Sequence, residues 1–407
     1  MQLSRTALLC VLPLVAHAAL AAFGPAYCPV TNAAYQCVYT DAFLKRPRMG
    51  GFMLPPDGGT EQDFRDLAKI GARLVRYQMK PAKELKAKSN ASVDEYETAF
   101  MAWLDGRMAK LDQMIRWTAG TDIWFVVDLH GSPGGLYSAD DLPKEAMACK
   151  NSNRMFGEKV YAAMFLRAWR RIAEHCRDLP RIWGYDLVNE PNQTMPMKAD
   201  FWTLQKLCAE HVRKFDPKTP IIIESNRHSI PYTYDDLAPL EMPDIVYSVH
   251  MYLPFDFTHQ GVLGMTPVKS PVPYPNDVYG WDKAKLVDEL KLARAFQQRH
   301  GAHIFVGEFG AAVWAPGREK WFDDVILLYR EWGWDWTLHA FREWSGWSLE
   351  HTAAKWGVCE NSNFTRVAES AALDVVKRHL AEMNPDAHGF LHRVINWINP
   401  QQKGTLQ

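Results

Sequence analysis

The sequence predicts a single α/β domain folded as a closed (β/α)8 TIM barrel. Short apolar strands alternate with longer amphipathic stretches along the 407 residues. Eight such strands can be counted, and side chains suited to catalysis fall at the C-terminal ends of several of them, where a barrel of this kind keeps its chemistry. Length alone would also admit a β-sandwich or two smaller domains, so the alternation decides.

Along the chain the strands are predicted at Met49–Leu54, Leu74–Met79, Ile123–His130, Ile182–Asn189, Ile221–Glu224, Ile245–Tyr252, Ile304–Glu308 and Trp334–Phe341. Helices are predicted at Glu61–Ile70, Tyr96–Thr118, Phe156–Arg177, Lys198–Phe215, Lys283–His300, Lys320–Trp332 and Arg366–Met383, while Tyr234–Leu240 is too short to assign. Three connections are long: Gly131–Met155, Leu253–Gly280 and Arg342–Asn363. Loops of that length in a compact domain are usually functional or disordered. The second sets Pro254, Pro267, Pro271, Pro273 and Pro275 among Phe255, Phe257, Tyr274 and Tyr279, a composition suited to a stiff wall. Trp332-Gly-Trp334-Asp-Trp336 alternates as a strand does and puts its indoles on one face, for which packing between barrel and outer helices is the expected role.

A formal net charge of −1 gives no electrostatic reason to expect nucleic acid or an anionic membrane as partner, so a neutral ligand is expected. Sixteen Trp and 15 Tyr suit stacking on pyranose faces, beside their commoner use in a core. The N-terminus, Met-Gln-Leu-Ser-Arg followed by the apolar run Thr6–Ala22 with small residues near its end, reads as a signal peptide over residues 1–22. It is followed by a catalytic barrel over 23–398 and a tail at 399–407 expected to be disordered. No later segment has ~18 uninterrupted apolar residues, so no membrane contact is expected after cleavage, and the chain is expected to be secreted, extracellular or periplasmic, as a monomer.

Removing Cys10 with the signal leaves Cys28, Cys37, Cys149, Cys176, Cys208 and Cys359, an even number that suits an oxidising compartment. Cys28 with Cys37 is the first candidate pair because the loop between them is short and polar. The others are open to reading as buried free thiols, and no C-x-x-C spacing suggests a metal. Sequons begin at Asn90, Asn192 and Asn363, and a glycan on Asn192 would crowd any cleft at Glu190.

Hydrolysing a glycosidic bond with retention needs one carboxyl to protonate the leaving oxygen and a second, ~5–5.5 Å away, to attack the anomeric carbon. Glu190 closes Gly-Tyr-Asp-Leu-Val-Asn-Glu-Pro, where Pro191 forbids continuation of the ladder. Glu308 closes Ile-Phe-Val-Gly-Glu-Phe-Gly, whose glycines would let a ligand approach the backbone. One such carboxylate reads equally well as half of an ion pair, but two at equivalent strand ends point to catalysis. Glu190 is the expected acid, its pKa raised by like-charge coupling to an ionised Glu308. Asn189 suits a hydrogen bond to a sugar hydroxyl. Arg76 and Tyr252 are donors able to keep Glu308 ionised. His130 and His250 suit substrate hydroxyls or tuning of the acid. Gly131-Ser-Pro-Gly134-Gly135 lacks the spacing of a phosphate loop and reads as a cleft loop.

Val127-Asp128-Leu129-His130, Asp186-Leu187-Val188-Asn189-Glu190-Pro191, Ser248-Val249-His250-Met251-Tyr252 and Val306-Gly307-Glu308-Phe309-Gly310 together resemble glycoside hydrolase family 5, the cellulase-type retaining β-glycosidases, in order and spacing along nearly the whole mature chain. The resemblance implies a TIM barrel with catalytic glutamates after strands four and seven, a polysaccharide or oligosaccharide substrate, no metal and no organic cofactor. It implies Glu190 as acid/base, Glu308 as nucleophile, and Arg76, His130, Asn189, His250 and Tyr252 as substrate-binding neighbours. It also implies a stacking Trp after strand eight, for which Trp344 is the first choice and Trp347 the second, with His339 or Phe341 as alternatives. The expected activity is endo-β-1,4-glucanase; β-mannan, mixed-linkage glucan and exo-β-glucoside hydrolysis are the alternatives within the family. Outside it stand a carbohydrate-binding barrel without activity, which the presence of both glutamates disfavours, and a metal-dependent barrel hydrolase, which the lack of His-x-His at a strand end disfavours.

Overall fold

Eight parallel strands close on themselves in chain order: β1 (Gly50–Leu54), β2 (Leu74–Gln78), β3 (Trp124–Asp128), β4 (Ile182–Asp186), β5 (Ile221–Glu224), β6 (Ile245–Met251), β7 (His303–Phe309) and β8 (Asp335–Leu338). β8 pairs with β1, Gly50 opposite Trp336, and completes the barrel. This computed structural model describes residues 34–81, 85 and 92–383. The expected signal peptide, the 399–407 tail, Cys28 and the Asn90 sequon lie outside the described residues, and the expected Cys28–Cys37 pairing lies outside them too. Cys149, Cys176, Cys208 and Cys359 are free thiols. Among the described residues no helix is long and apolar enough to cross a membrane.

Each predicted strand is present, but several stop earlier than expected. β4 ends at Asp186, and the chain then turns until Glu190 adopts a left-handed φ of 48°. The longer helices are α1 (Glu61–Lys69), α2 (Val93–Trp117), α3 (Lys159–Cys176), α4 (Phe201–Val212), α5 (Lys283–His300), α6 (Arg318–Trp332) and α7 (Ala371–Glu382). Side-chain caps set their starts: Thr60 and Ser92 form capping boxes, and Asp200 accepts from Thr203 N, so α4 begins later than Lys198. The last helix starts at Ala371 rather than Arg366 for two reasons. Ser370 caps it, and Phe364–Arg366 (β10) is taken by an antiparallel pairing with His351–Ala353 (β9). After β5 the 3-10 turn Pro231–Asp236 overlaps only the start of Tyr234–Leu240, the stretch left unassigned in the sequence.

The strands are buried on both faces, and alternation decides which side chains enter the barrel and which meet the helices. Leu74, Val126, Trp183, Ile222, Val246 and Phe305 fill the N-terminal half of the barrel, with Phe43 of the turn Asp41–Leu44 packed beneath them. Two residues further along the same faces the side chains become Arg76, Asp128 and Glu224, so the interior changes from oil to charge within one layer. Trp334 and Trp336 are buried outside the barrel, stacked on Tyr329 at 6.1 Å and edge-on to Phe309 at 5.6 Å, the packing role expected of that motif.

β1 tolerates no side chain at Gly51, where a Cβ would stand 1.7 Å from the Leu74 carbonyl oxygen. Gly106, on the exposed face of α2, has nothing within 4 Å. Gly51→Ala is expected to lower stability by about 3 kcal/mol or more, whereas Gly106→Ala should raise it by roughly 0.5–1 kcal/mol, both read as urea midpoints.

Candidate active site

Arg76 rises from β2 into the mouth of the barrel with no exposed surface. Its Nε donates to Asp186 Oδ2 at 2.9 Å and its Nη1 to Glu308 Oε1 at 2.7 Å. Nη2 donates to Asn189 Oδ1 at 2.9 Å and Glu224 Oε1 at 3.3 Å, with Asp128 Oδ2 at 3.2 Å. One guanidinium therefore holds carboxyl groups from β3, β4, β5 and β7, which its planar set of five donors permits and an ammonium would not. Burial alone would lower its pKa, but Asp128, Asp186, Glu308 and Glu224 hold it well above the usual arginine value. The acids still outnumber the cation. Burial and then the charge of Glu224 push the Asp186 pKa well above the usual carboxylate range, against the pull of Arg76.

Glu308 accepts from Arg76 on Oε1 and from the Tyr252 hydroxyl on Oε2 at 2.9 Å. Burial opposes its ionisation, yet His250, His339 and Arg76 hold its pKa well below the usual range. The glycines around it have a different use from the one expected. A Cβ on Gly307 would stand 2.8 Å from His250 Nε2, and one on Gly310 2.5 Å from the His339 carbonyl oxygen. They make room for neighbouring protein groups, at a register shift between β6 and β7, rather than for a ligand.

Glu190 is less enclosed. Its N–H donates to Glu224 Oε2, its Oε1 accepts from His250 Nδ1 at 2.9 Å, and its Oε2 lies 3.3 Å from His228 Nδ1. Arg227, His228 and Ser229 all have left-handed φ, between 54° and 64°, and Ser229 Oγ donates to the same Glu224 oxygen at 2.8 Å, which pins this turn beneath Glu190. Side-chain atoms of Glu190, His250 and Glu308 come within 4.8 Å of one another. The expected rise in the Glu190 pKa does not occur. Burial and Glu308 do push it up, but hydrogen bonds from His228 and His250 outweigh them and hold it at about 2. His250, whose burial would lower its pKa, is raised well above the usual value by Glu224, Glu308 and Glu190. The proton of the pair sits on the imidazole.

A family model described as Cellulase (glycosyl hydrolase family 5) matches residues 43–352, a range containing all eight barrel strands. The chain belongs to glycosyl hydrolase family 5. It is an O-glycosyl hydrolase. Endoglucanase C of Acetivibrio thermocellus is 26% identical to it over 298 residues, covering 67% of this chain and 80% of the relative. The structure of Thermotoga maritima Cel5A in complex with cellobiose aligns with a TM-score of 0.60 at 19% identity, over 83% of this chain and 100% of that one. Its complex with mannotriose aligns with a TM-score of 0.61 at 18% identity, over the same shares. The latter two likenesses concern the fold.

Within this family 5 barrel the remaining expected site residues come together unevenly. His130 Nδ1 lies 2.9 Å from Asp128 Oδ2, and its Nε2 lies 3.4 Å from Asn189 Nδ2, which assigns the ring's proton to Nδ1 and orients the amide. His130, Gly131, Ser132, Gly135, Asn189 and Glu190 share a cleft of about 220 Å³, in line with the cleft-loop reading of the glycine-rich segment. After β8 the two tryptophans separate. Trp347, the second choice, lies 6.1 Å from both Tyr252 and His339. Trp344, the first choice, stands a ring further out, edge-on to Trp347 at 6.0 Å and packed on Trp314 and Phe364. Phe341 is buried against Phe52.

Asp128, Asp186, Glu224, His228 and Glu343 were not among the residues singled out. The first three had a readable signal, a carboxylate ending an apolar strand that would need a buried cation. The Asn192 and Asn363 amides are buried and donate to Asn151 O and to Lys355 O and Val358 O, so neither sequon is open to a glycan in the folded chain.

Removing Arg76 strands acids without a counter-charge. Arg76→Met is expected to cost about 3–5 kcal/mol at pH 7. In the wild type, the depressed Glu308 pKa contributes stability that is present above the unfolded value and lost on acidification; in the variant the carboxyls are raised, so the sign reverses. The deficit relative to wild type should shrink as pH falls toward about 4–5, and denaturant unfolding at the two pH values checks it.

Proposed function

We propose that the chain is a secreted, retaining endo-β-1,4-glucanase in which Glu308 attacks the anomeric carbon and Glu190 serves as acid and then base. The observation that carries this reading is the separation of the two carboxyls. One oxygen of each carboxyl lies within 4.8 Å of the other, which supports the ~5–5.5 Å spacing of a double displacement over the ~6.5–9.5 Å of inverting enzymes.

The electrostatics support the same division of labour. Glu308, held ionised by Arg76 and Tyr252, is poised as the nucleophile. In the open cleft Glu190 and His250 form an ion pair, and a sugar that displaces water from them favours the neutral pair, moving the proton from Nδ1 to the carboxyl. Glu190 then protonates the leaving oxygen. Esterification of Glu308 removes the negative charge that had been raising the Glu190 pKa, so Glu190 is left as the carboxylate that activates water. Asn189, its Oδ1 fixed by Arg76, and His130 present polar edges to the sugar in the cleft, and Trp347 with Trp344 beyond it supplies an aromatic face.

The β-1,4-glucan substrate and endo action rest on the likeness to endoglucanase C, and export on the run Thr6–Ala22. Hydrolysis of β-mannan is the second reading, favoured by the likeness to a barrel solved with mannotriose. A panel of β-glucans and mannans separates them: rapid viscosity loss relative to reducing-sugar release on a soluble β-1,4-glucan is expected, and slow viscosity loss with rapid monosaccharide release would overturn endo action.

Glu308→Gln is expected to lower kcat/KM by about 10³-fold or more, roughly 4 kcal/mol of transition-state stabilisation. Glu190→Ala should spare activated aryl glycosides and lose polysaccharide. The first-formed sugar should appear by NMR as the β-anomer.

A further inference from the structure

His339 follows β8 directly and faces the nucleophile. Tyr252 Oη lies 2.9 Å from Glu308 Oε2 and 2.6 Å from His339 Nδ1. On its far side, His339 Nε2 lies 3.0 Å from Glu343 Oε2. Glu343 Oε2 also accepts from Gln78 Nε2 at 2.9 Å, and that amide is oriented by its second bond, to Leu54 O at 2.7 Å. The chain of contacts thus runs from one carboxylate through a phenol and an imidazole to another.

We propose that His339 and Glu343 are positioning residues for the nucleophile, an imidazolium held by Glu343 keeping the phenol proton of Tyr252 directed at Glu308. The proposal rests on the reading of Glu308 as nucleophile.

A phenol has one proton, so Tyr252 can donate to Glu308 only if it accepts from Nδ1–H of His339. An ionised Glu343 only accepts, so Nε2 must carry a proton as well. With His339 neutral and its proton on Nε2, the phenol proton turns toward Nδ1 and Glu308 Oε2 loses its donor. With the proton on Nδ1 instead, a lone pair faces Glu343. Only the imidazolium satisfies all three contacts.

The charged surroundings agree. Glu308 from β7, Glu190 beyond β4 and Glu343 from the loop of His339 face the ring as acids; His259 and Tyr252 face it from the segment after β6, and Lys80 acts on Glu343. Burial opposes the charge on His339, but Glu343 and Glu308 raise its pKa. Burial, then repulsion by His339, lowers His259 to about 4, so that ring is neutral at neutral pH. Because the His339 pKa is raised, its charged form is present below that value and lost as pH rises through it. The Tyr252–Glu308 hydrogen bond is lost with it.

The test uses 2,4-dinitrophenyl β-cellobioside, whose leaving group needs no proton, so kcat/KM reports attack by Glu308 without help from Glu190. Wild type is expected to show an alkaline limb. In Glu343→Gln that limb should move to lower pH by about one unit, a tenfold loss at a fixed alkaline pH, with the acid limb in place. The imidazole Cε1–H NMR signal that disappears in His339→Gln should titrate with the kinetic limb in wild type and in Glu343→Gln. An unmoved limb in Glu343→Gln, a rate lowered by one factor at every pH, or a His339 signal that is neutral where the wild type is active would overturn the proposal. If the wild type leaves the glycoside uncleaved, the functional reading fails, and the NMR titration still decides the charge on His339.

Discussion

One guanidinium, placed where no water reaches it, determines how the mouth of this barrel is built. Arg76 contacts Asp128, Asp186, Glu224 and Glu308, which come from four different strands. Desolvating such a set is costly, and its mutual attraction offsets that cost only when geometry is good and further hydrogen bonds fill the remaining positions. The barrel supplies those conditions. Strand alternation aims the side chains inward in one layer, above a plug of Leu74, Val126, Trp183 and Phe305. The arrangement fits preorganisation for reaction better than stability, because hydrophobic side chains would fill the same space at less cost.

The two glutamates differ because their neighbours differ. Glu308 is faced by His250, His339 and the permanent cation of Arg76, so burial fails to neutralise it. Glu190 is bound by two histidines, groups able to give a proton back. Its low pKa in the open cleft therefore describes a stored proton on His250 rather than an absent one. In the proposed mechanism substrate binding, by removing water, shifts the pair toward its neutral form. Three layers are linked here: the left-handed turn at Arg227–Ser229 places His228, His228 and His250 set the charge of Glu190, and that charge underlies the role proposed for it.

The barrel was legible because its strands are apolar runs ended by polar and charged side chains, and the spacing of Arg76, His130, Asn189, Glu190, His250, Tyr252 and Glu308 then placed them at one end. Features that depend on tertiary packing were not legible. Helix starts moved with caps at Asp200 and Ser370. The glycines at 307 and 310 serve the His250 ring and the His339 carbonyl, which no local pattern reveals. Trp347 rather than Trp344 stands beside Tyr252 and His339, in a loop tied to the segment after β7 by Val313 N donating to Gly346 O at 2.8 Å. The pKa of Glu190 was misjudged because sequence displays the like charge of Glu308 but not the contact with His228, a residue of another loop.

The central claim is that Glu308, kept ionised by Arg76, forms the covalent intermediate. Incubating the enzyme with 2,4-dinitrophenyl 2-deoxy-2-fluoro-β-cellobioside and mapping the adduct by peptide mass spectrometry tests it most directly. The account predicts one fluorocellobiosyl group, on Glu308. A label on Glu190, Glu224 or Glu343, or the absence of any label while the parent glycoside is turned over, would contradict it.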